Sequence, residues 1–219
     1  MTLSFNSFFD ELFYINLDRV TERREHCERE FKKHGLVVRR WSATEGTSLD
    51  PRSYSPLDAN SAGCFYTHLD VIRHAQKDKL KNVCVFEDDV VFDEDLQKRF
   101  AECIVEVPSD WDFILFGGLT HFSAKYAFFK EPKPEQISPH VYKISAAFCT
   151  HSYAVNNTAY ELMLSLFPRM VEGKPIDTLM SNEIYRNSNA YMIRPVMAWQ
   201  KNGYSYIKES HQNYFNLRK

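Results

Sequence analysis

The chain has 219 residues, 44% of them hydrophobic and 15% aromatic, and a formal net charge of −2. That length fits one large domain with enough chain for a proper core, and that composition excludes a disordered polypeptide. The near-neutral charge argues against a nucleic-acid binder held by phosphate contacts, and five scattered cysteines without a C-x-x-C spacing argue against a disulfide framework or a structural zinc site. Residues 1–11 carry Phe5, Phe8 and Phe9 but no basic region, so they read as an N-terminal extension and not as a secretory leader. No apolar run approaches the roughly 20 residues that span a bilayer. A soluble, cytoplasmic protein is expected.

Residues 12–17 (L-F-Y-I-N-L) read as a strand. A charged helix follows to His34 and stops at Gly35, and residues 37–43 give a second strand. A strand–helix–strand opening points to an α/β protein with a mostly parallel central sheet flanked by helices. In such sheets ligands bind beyond the carboxyl ends of the strands, which places Asn16, Asp18, Arg19 and Arg23 near a potential nucleotide site, although Arg23 and Arg24 taken alone read as ordinary helix-surface charge. After a loop over residues 44–60, Ala62, Phe65, Leu69, Ile72 and Ala75 form one helical stripe, with Ser61 as its cap. Gly63 inside that helix implies close approach of a ligand or another backbone. His68 on it is either a packed structural histidine or a ligand.

Residues 83–92 read V-C-V-F-E-D-D-V-V-F, a strand enclosing three consecutive carboxylates. Three buried charges in a row need partners, so Glu87, Asp88 and Asp89 belong where the strand leaves the sheet. On an extended chain Glu87 and Asp89 would share one side and Asp88 the other. Such a cluster suits a hard divalent cation, Mg²⁺ or Mn²⁺, that completes its shell with water and substrate phosphates. The alternative is a solvated acidic turn. A helix from Asp95 to Val107 and a strand at residues 112–116 come next. The strand ends in Gly117-Gly118, a pair that permits close backbone approach or makes a plain turn.

Residues 121–139 read as a long loop and 141–155 as strand material around a turn. Thr158 with Glu161 makes a capping box before an apolar helix. Asp177 would N-cap a helix to Tyr185. A last strand covers residues 190–198, and 201–219 form a polar, aromatic tail. Phosphate-loop, dinucleotide-binding and nucleophile-elbow patterns are absent.

Taken in order, F-Y-I-N-L-D-R-V-T-E-R-R (13–24), G-C-F-Y-T-H (63–68), V-F-E-D-D-V (85–90), D-F-I-L-F-G (112–117), T-H-S-Y-A-V (150–155) and P-I-D (175–177) with Gln200 resemble the motifs of glycosyltransferase family 25. That family contains bacterial lipooligosaccharide galactosyltransferases and procollagen galactosyltransferase domains. The resemblance covers residues 12 to 210 and implies a single domain of GT-A-like fold, a UDP-sugar donor, a divalent metal and inversion at the anomeric carbon. It places donor binding on Asn16, Asp18, Arg19, Arg23, His68, Glu87, Asp88, Gly117 and Gly118, and the metal on Asp88 and Asp89, with His211 as a speculative further ligand. Inversion needs a base for the acceptor hydroxyl. Asp177 is the first candidate and His151 the second. One departure stands out: where the family often ends in S-D-I, this chain has Ser205-Tyr206-Ile207. The function implied is transfer of galactose or glucose from UDP to a hydroxyl of a glycan or protein. A catalytically silent sugar-nucleotide binder and a metal-dependent phosphohydrolase are the alternatives.

Overall fold

A computed structural model of the chain describes residues 3–120 and 132–213; the first part of the long loop expected at 121–139 lies outside them. In chain order the elements are α1 (Phe5–Phe8), β1 (Glu11–Asn16), α2 (Thr21–Lys33), β2 (Arg39–Ser42), α3 (Ala59–Lys77), β3 (Asn82–Glu87), β4 (Val90–Phe92), α4 (Leu96–Ile104) and β5 (Phe113–Leu115). Then follow β6 (Glu135–Gln136), β7 (Val141–Lys143), β8 (Ser152–Asn156), α5 (Tyr160–Leu164), α6 (Ile176–Leu179), β9 (Ala190–Ile193), β10 (Ala198–Gln200), β11 (Gly203–Ser205) and β12 (Ser210–Gln212).

Eight strands make one sheet in the order β2-β1-β3-β8-β5-β9-β7-β6. Strands β2, β1, β3, β5, β9 and β6 point one way, and β8 and β7 run against them. This is the mixed α/β arrangement, mostly of one strand direction, that the opening strand–helix–strand implies. Alternation along the strands builds a core on each face. Phe13, Ile15, Val85 and Leu115 turn toward α3, α5 and α6. Leu12, Tyr14, Phe86 and Phe116 turn toward α1, α2 and α4. The N-terminal extension is part of this second core: Phe5 and Phe9 are buried, and the Phe5 ring lies 4.0 Å from Phe100 and 4.9 Å from Phe116 between centroids.

Four local expectations are corrected. Helix α3 begins earlier than the apolar stripe, so Asp58 and not Ser61 caps it, accepting from the Ser61 amide at 2.8 Å. The Thr158–Glu161 capping box does not form. Thr158 Oγ1 donates instead to Asp112 Oδ1 at 2.6 Å, tying the end of β8 to the start of β5. The N-cap of α6 is Pro175, which frees the Asp177 side chain to reach another segment. The tail continues past residue 201 into the hairpin β11–β12. The close approach inferred for Gly63 is present: a Cβ there would meet Thr44 O at 2.5 Å and the Gly46 amide nitrogen at 2.8 Å.

Candidate active site

The site forms on the rim where β1 and β3 end and β8 begins. Strand β3 stops at Glu87, the chain turns through Asp88 and Asp89, and β4 leaves the main sheet to pair with β10. The Lys201 amide donates to the Asp89 carbonyl at 2.7 Å, which fixes the turn from the far side. The turn also overrides the simple alternation expected of an extended chain. Asp88 and Asp89 both face Arg23, and Glu87 faces elsewhere.

Arg23, in the first turns of α2, bridges the two aspartates. It pairs with Asp88 Oδ1 through one nitrogen and donates to Asp89 Oδ2 at 3.0 Å through the other. The second nitrogen also donates to the Tyr204 carbonyl at 3.2 Å. Asn16, buried at the end of β1, donates to Asp88 Oδ2 at 2.7 Å and to the Val20 carbonyl at 3.1 Å. Burial works against the Arg23 charge, but Asp89 and Asp88 outweigh it and hold the guanidinium ionised. Burial raises the Asp88 carboxyl despite Arg23. Burial, with repulsion from Glu87, pushes Asp89 up to about 7. Asp89 Oδ1 is buried without a partner.

Glu87 has a different shell. Thr150 Oγ1 donates to its Oε1 at 2.6 Å, and His68 Nε2 lies 3.5 Å from the same oxygen. His68, fully buried, hydrogen-bonds Tyr153 OH through Nδ1 at 2.9 Å. Burial opposes the Glu87 charge, yet His68 and the Thr150 hydroxyl hold its carboxyl below the usual range. The His68 ring is packed and hydrogen-bonded through Nδ1, while its Nε2 has no hydrogen-bond partner.

His151 precedes β8, and its carbonyl accepts from the Glu87 amide at 3.0 Å. Its ring is buried: Nε2 faces the Ala198 carbonyl at 3.3 Å, Nδ1 has no partner, and burial lowers its pKa. Gly117 makes room for this ring, since a Cβ there would lie 2.3 Å from Nε2 and 2.2 Å from the Ala198 carbonyl. Gly118 adopts φ +141°, a region open to glycine. Asp177 is half-buried, accepts from the Cys149 amide at 3.3 Å, and has its pKa raised chiefly by burial. Glu87 adds to that rise, which puts the two carboxyls in one electrostatic neighbourhood.

The other expected residues sit further out. Asp18 is exposed and pairs with Arg40 and the Ser42 hydroxyl. Arg19 is exposed and pairs with Glu45 at 2.8 Å. His211 is exposed on the hairpin with its ring against Tyr204, 5.6 Å between centroids. Among the described residues no group of three or more His, Cys, Asp or Glu side chains is gathered as a metal cage. What the site offers a hard cation is the unpartnered Asp89 Oδ1 beside Asp88, and carboxylate oxygens are donors that fit Mg²⁺ or Mn²⁺. Sequence reasoning did not anticipate Arg40, which donates to Asn16 Oδ1 at 3.1 Å, or Thr150 as the partner of Glu87. Arg40 carries no signal of its own, and Thr150 is marked only as the first residue of the T-H-S-Y-A-V stretch; the register of β2 and β8 brings both to the rim.

The profile described as glycosyltransferase family 25 (LPS biosynthesis protein) matches residues 9–180. The chain belongs to glycosyltransferase family 25. Among curated relatives, procollagen galactosyltransferase 1 of Danio rerio is 24% identical over 87% of this chain and 36% of its own length. Procollagen galactosyltransferase 2 of Homo sapiens is 26% identical over 78% of this chain and 29% of its own. A Bos taurus protein named probable inactive glycosyltransferase 25 family member 3 is 26% identical over 87% and 36%. The chain thus spans about a third of the length of these relatives. Among solved structures, a glycosyltransferase involved in the glycosylation of the major capsid of PBCV-1 is 10% identical, with a TM-score of 0.44, over 78% of this chain and 73% of that one. The α/β fold is the GT-A-like one that family 25 membership implies. Among the described residues no helix is long and apolar enough to cross a membrane.

Proposed function

We propose that this family 25 member transfers a hexose, galactose or glucose, from a UDP-sugar to a hydroxyl on a glycan or protein, with inversion and with a divalent cation. The observation that carries the reading is the Asp88–Asp89 turn, two buried carboxylates spanned by Arg23 with one aspartate oxygen left free. Asp88 and Asp89 would hold Mn²⁺ or Mg²⁺, which supplies charge stabilisation to the departing diphosphate. Arg23 and Arg19 add fixed positive charge on the same side. Asn16 orients Asp88, and the Cys149 amide orients Asp177.

Asp177 takes the acceptor proton. Its half-buried carboxyl has a raised pKa, which brings it nearer the pH at which it works. The acceptor oxygen bonds to the anomeric carbon on the face opposite the diphosphate, the sugar–phosphate bond breaks, and the hydroxyl proton passes to Asp177. His151 is the poorer base, because its ring is sealed against Ala198 and Gly117.

The test is a donor panel of UDP-galactose and UDP-glucose with Mn²⁺ or EDTA, scored by UDP release and by the anomeric configuration of the product. Asp177→Asn should keep UDP binding and lower kcat by about 10²- to 10⁴-fold. Absence of both UDP release and metal-dependent UDP binding would sink the reading. A sugar-nucleotide binder without turnover is the second reading, favoured by Tyr206 at the family's acidic position. Metal-dependent UDP binding without any glycosylated product would select it.

A further inference from the structure

Tyr206 stands in the turn between β11 and β12, and its surroundings give the departure from the family pattern a role. Its ring centroid lies 5.1 Å from Arg19 Cζ and 5.5 Å from Arg23 Cζ. Its hydroxyl is 3.5 Å from Glu22 Oε1. The same hairpin gives the Tyr204 carbonyl to Arg23, and Glu209 Oε1 accepts from Asn60 Nδ2 at 3.0 Å. The hairpin therefore reaches from the start of α2 to the start of α3, across the end of β1. An aromatic face attracts a guanidinium without neutralising it. A carboxylate in that place would form an ion pair, and would compete with Asp88 and Asp89 for Arg23.

We propose that Tyr206 is a positioning residue acting through Arg23. Its ring holds Arg19 and Arg23 side by side, so that Arg23 stays across the Asp88–Asp89 turn while Arg19, paired with Glu45 at 2.8 Å, is kept beside it at the rim. The inference rests on the UDP-sugar reading above for its kinetic consequence, but the placement of the arginines does not depend on it.

Three variants test it: Tyr206→Phe, Tyr206→Ala and Tyr206→Asp. In ligand-free protein the ring current of Tyr206 should shift side-chain NMR signals of Arg19 and Arg23. The shifts should survive in Tyr206→Phe and vanish in Tyr206→Ala. In donor kinetics with Mn²⁺, Tyr206→Ala should raise the UDP-sugar KM about 5- to 20-fold and change kcat by less than about 3-fold, while Tyr206→Phe stays within about 2-fold of wild type. Tyr206→Asp should raise KM at least as much as Tyr206→Ala. Unshifted arginine signals in the wild type, a Tyr206→Ala enzyme with unchanged KM, or a Tyr206→Phe enzyme as impaired as Tyr206→Ala would each overturn the proposal. If the wild type turns over no UDP-sugar, the donor reading fails and the arginine signals alone decide the role of Tyr206.

Discussion

Glu87 and Asp89 lie two residues apart at the end of β3, the first partly exposed and the second buried, and they are treated in opposite ways. Glu87 receives a hydroxyl from Thr150 and the edge of the His68 ring, which Tyr153 holds in turn. Its charge is stabilised. Asp89 shares Arg23 with Asp88 and keeps one oxygen unpartnered, so burial and the neighbouring charge raise it to about 7. An anion that accepts a hydroxyl and still keeps some contact with water is stable as a charge. One with an incomplete shell is under electrostatic stress that an added cation relieves. On the proposed function, Glu87 builds the site and Asp89 works in it.

The contrast breaks most visibly if Asp89→Asn leaves activity intact. Losing the charge should lower kcat/KM by about 10²- to 10³-fold. Thermal melting should show unchanged or higher stability, because a destabilised buried charge is removed, and Mn²⁺ should no longer raise the melting temperature.

Titration sharpens the comparison next, since the two acids carry opposite signs. Asp89 has a raised pKa, so from about pH 4 to about 7 the folded protein holds a proton that the unfolded chain has released. Its contribution therefore destabilises progressively as pH rises through that window, by at most about 1.4 kcal/mol per pH unit. Glu87 has a lowered pKa, so its contribution is present above the ordinary glutamate range and is lost as pH falls below it. Denaturant midpoints against pH for wild type and Asp89→Asn should differ by the first slope and share the second.

Glu87→Gln should behave as a scaffold lesion. It keeps an acceptor for the Thr150 hydroxyl but removes the charge that strengthens the bond, and should cost about 1 to 3 kcal/mol of stability. For a chain of this size that lowers the melting temperature by roughly 2–4 °C per kcal/mol. The smallest effect is expected at Gln200, whose amide sits 3.5 Å from Asp89 Oδ2. Gln200→Leu should change stability by less than about 0.5 kcal/mol, and a larger loss by calorimetry would show that Asp89 is better satisfied than its geometry implies.

Much of the fold was legible in the sequence because strand and helix signals there are local. The stripe of Phe65, Leu69 and Ile72 has a helical period, and all three are buried. The acids of the V-F-E-D-D-V segment could only be accommodated where a strand ends, and β3 ends at Glu87. Features set by distant pairing were not legible. Asp177 looked like a helix cap until the Cys149 amide, 28 residues away in sequence, was seen to claim it. The packing of Phe5 into the second core needs α4 and β5, which no local pattern connects to the N-terminus. The grip of Tyr206 on two arginines spans more than 180 residues and has no periodic trace.

The reversed direction of β8 has one last effect. Strands β1, β3 and β5 bring to the rim the residues that follow them, whereas β8 brings the residues that precede it, Thr150 and His151. The rim is therefore fed from two independent directions of travel. The connection ahead of β8 carries the Cys149 amide to Asp177 and the Thr150 hydroxyl to Glu87, while the ladder between β3 and β8 keeps Glu87 where it is.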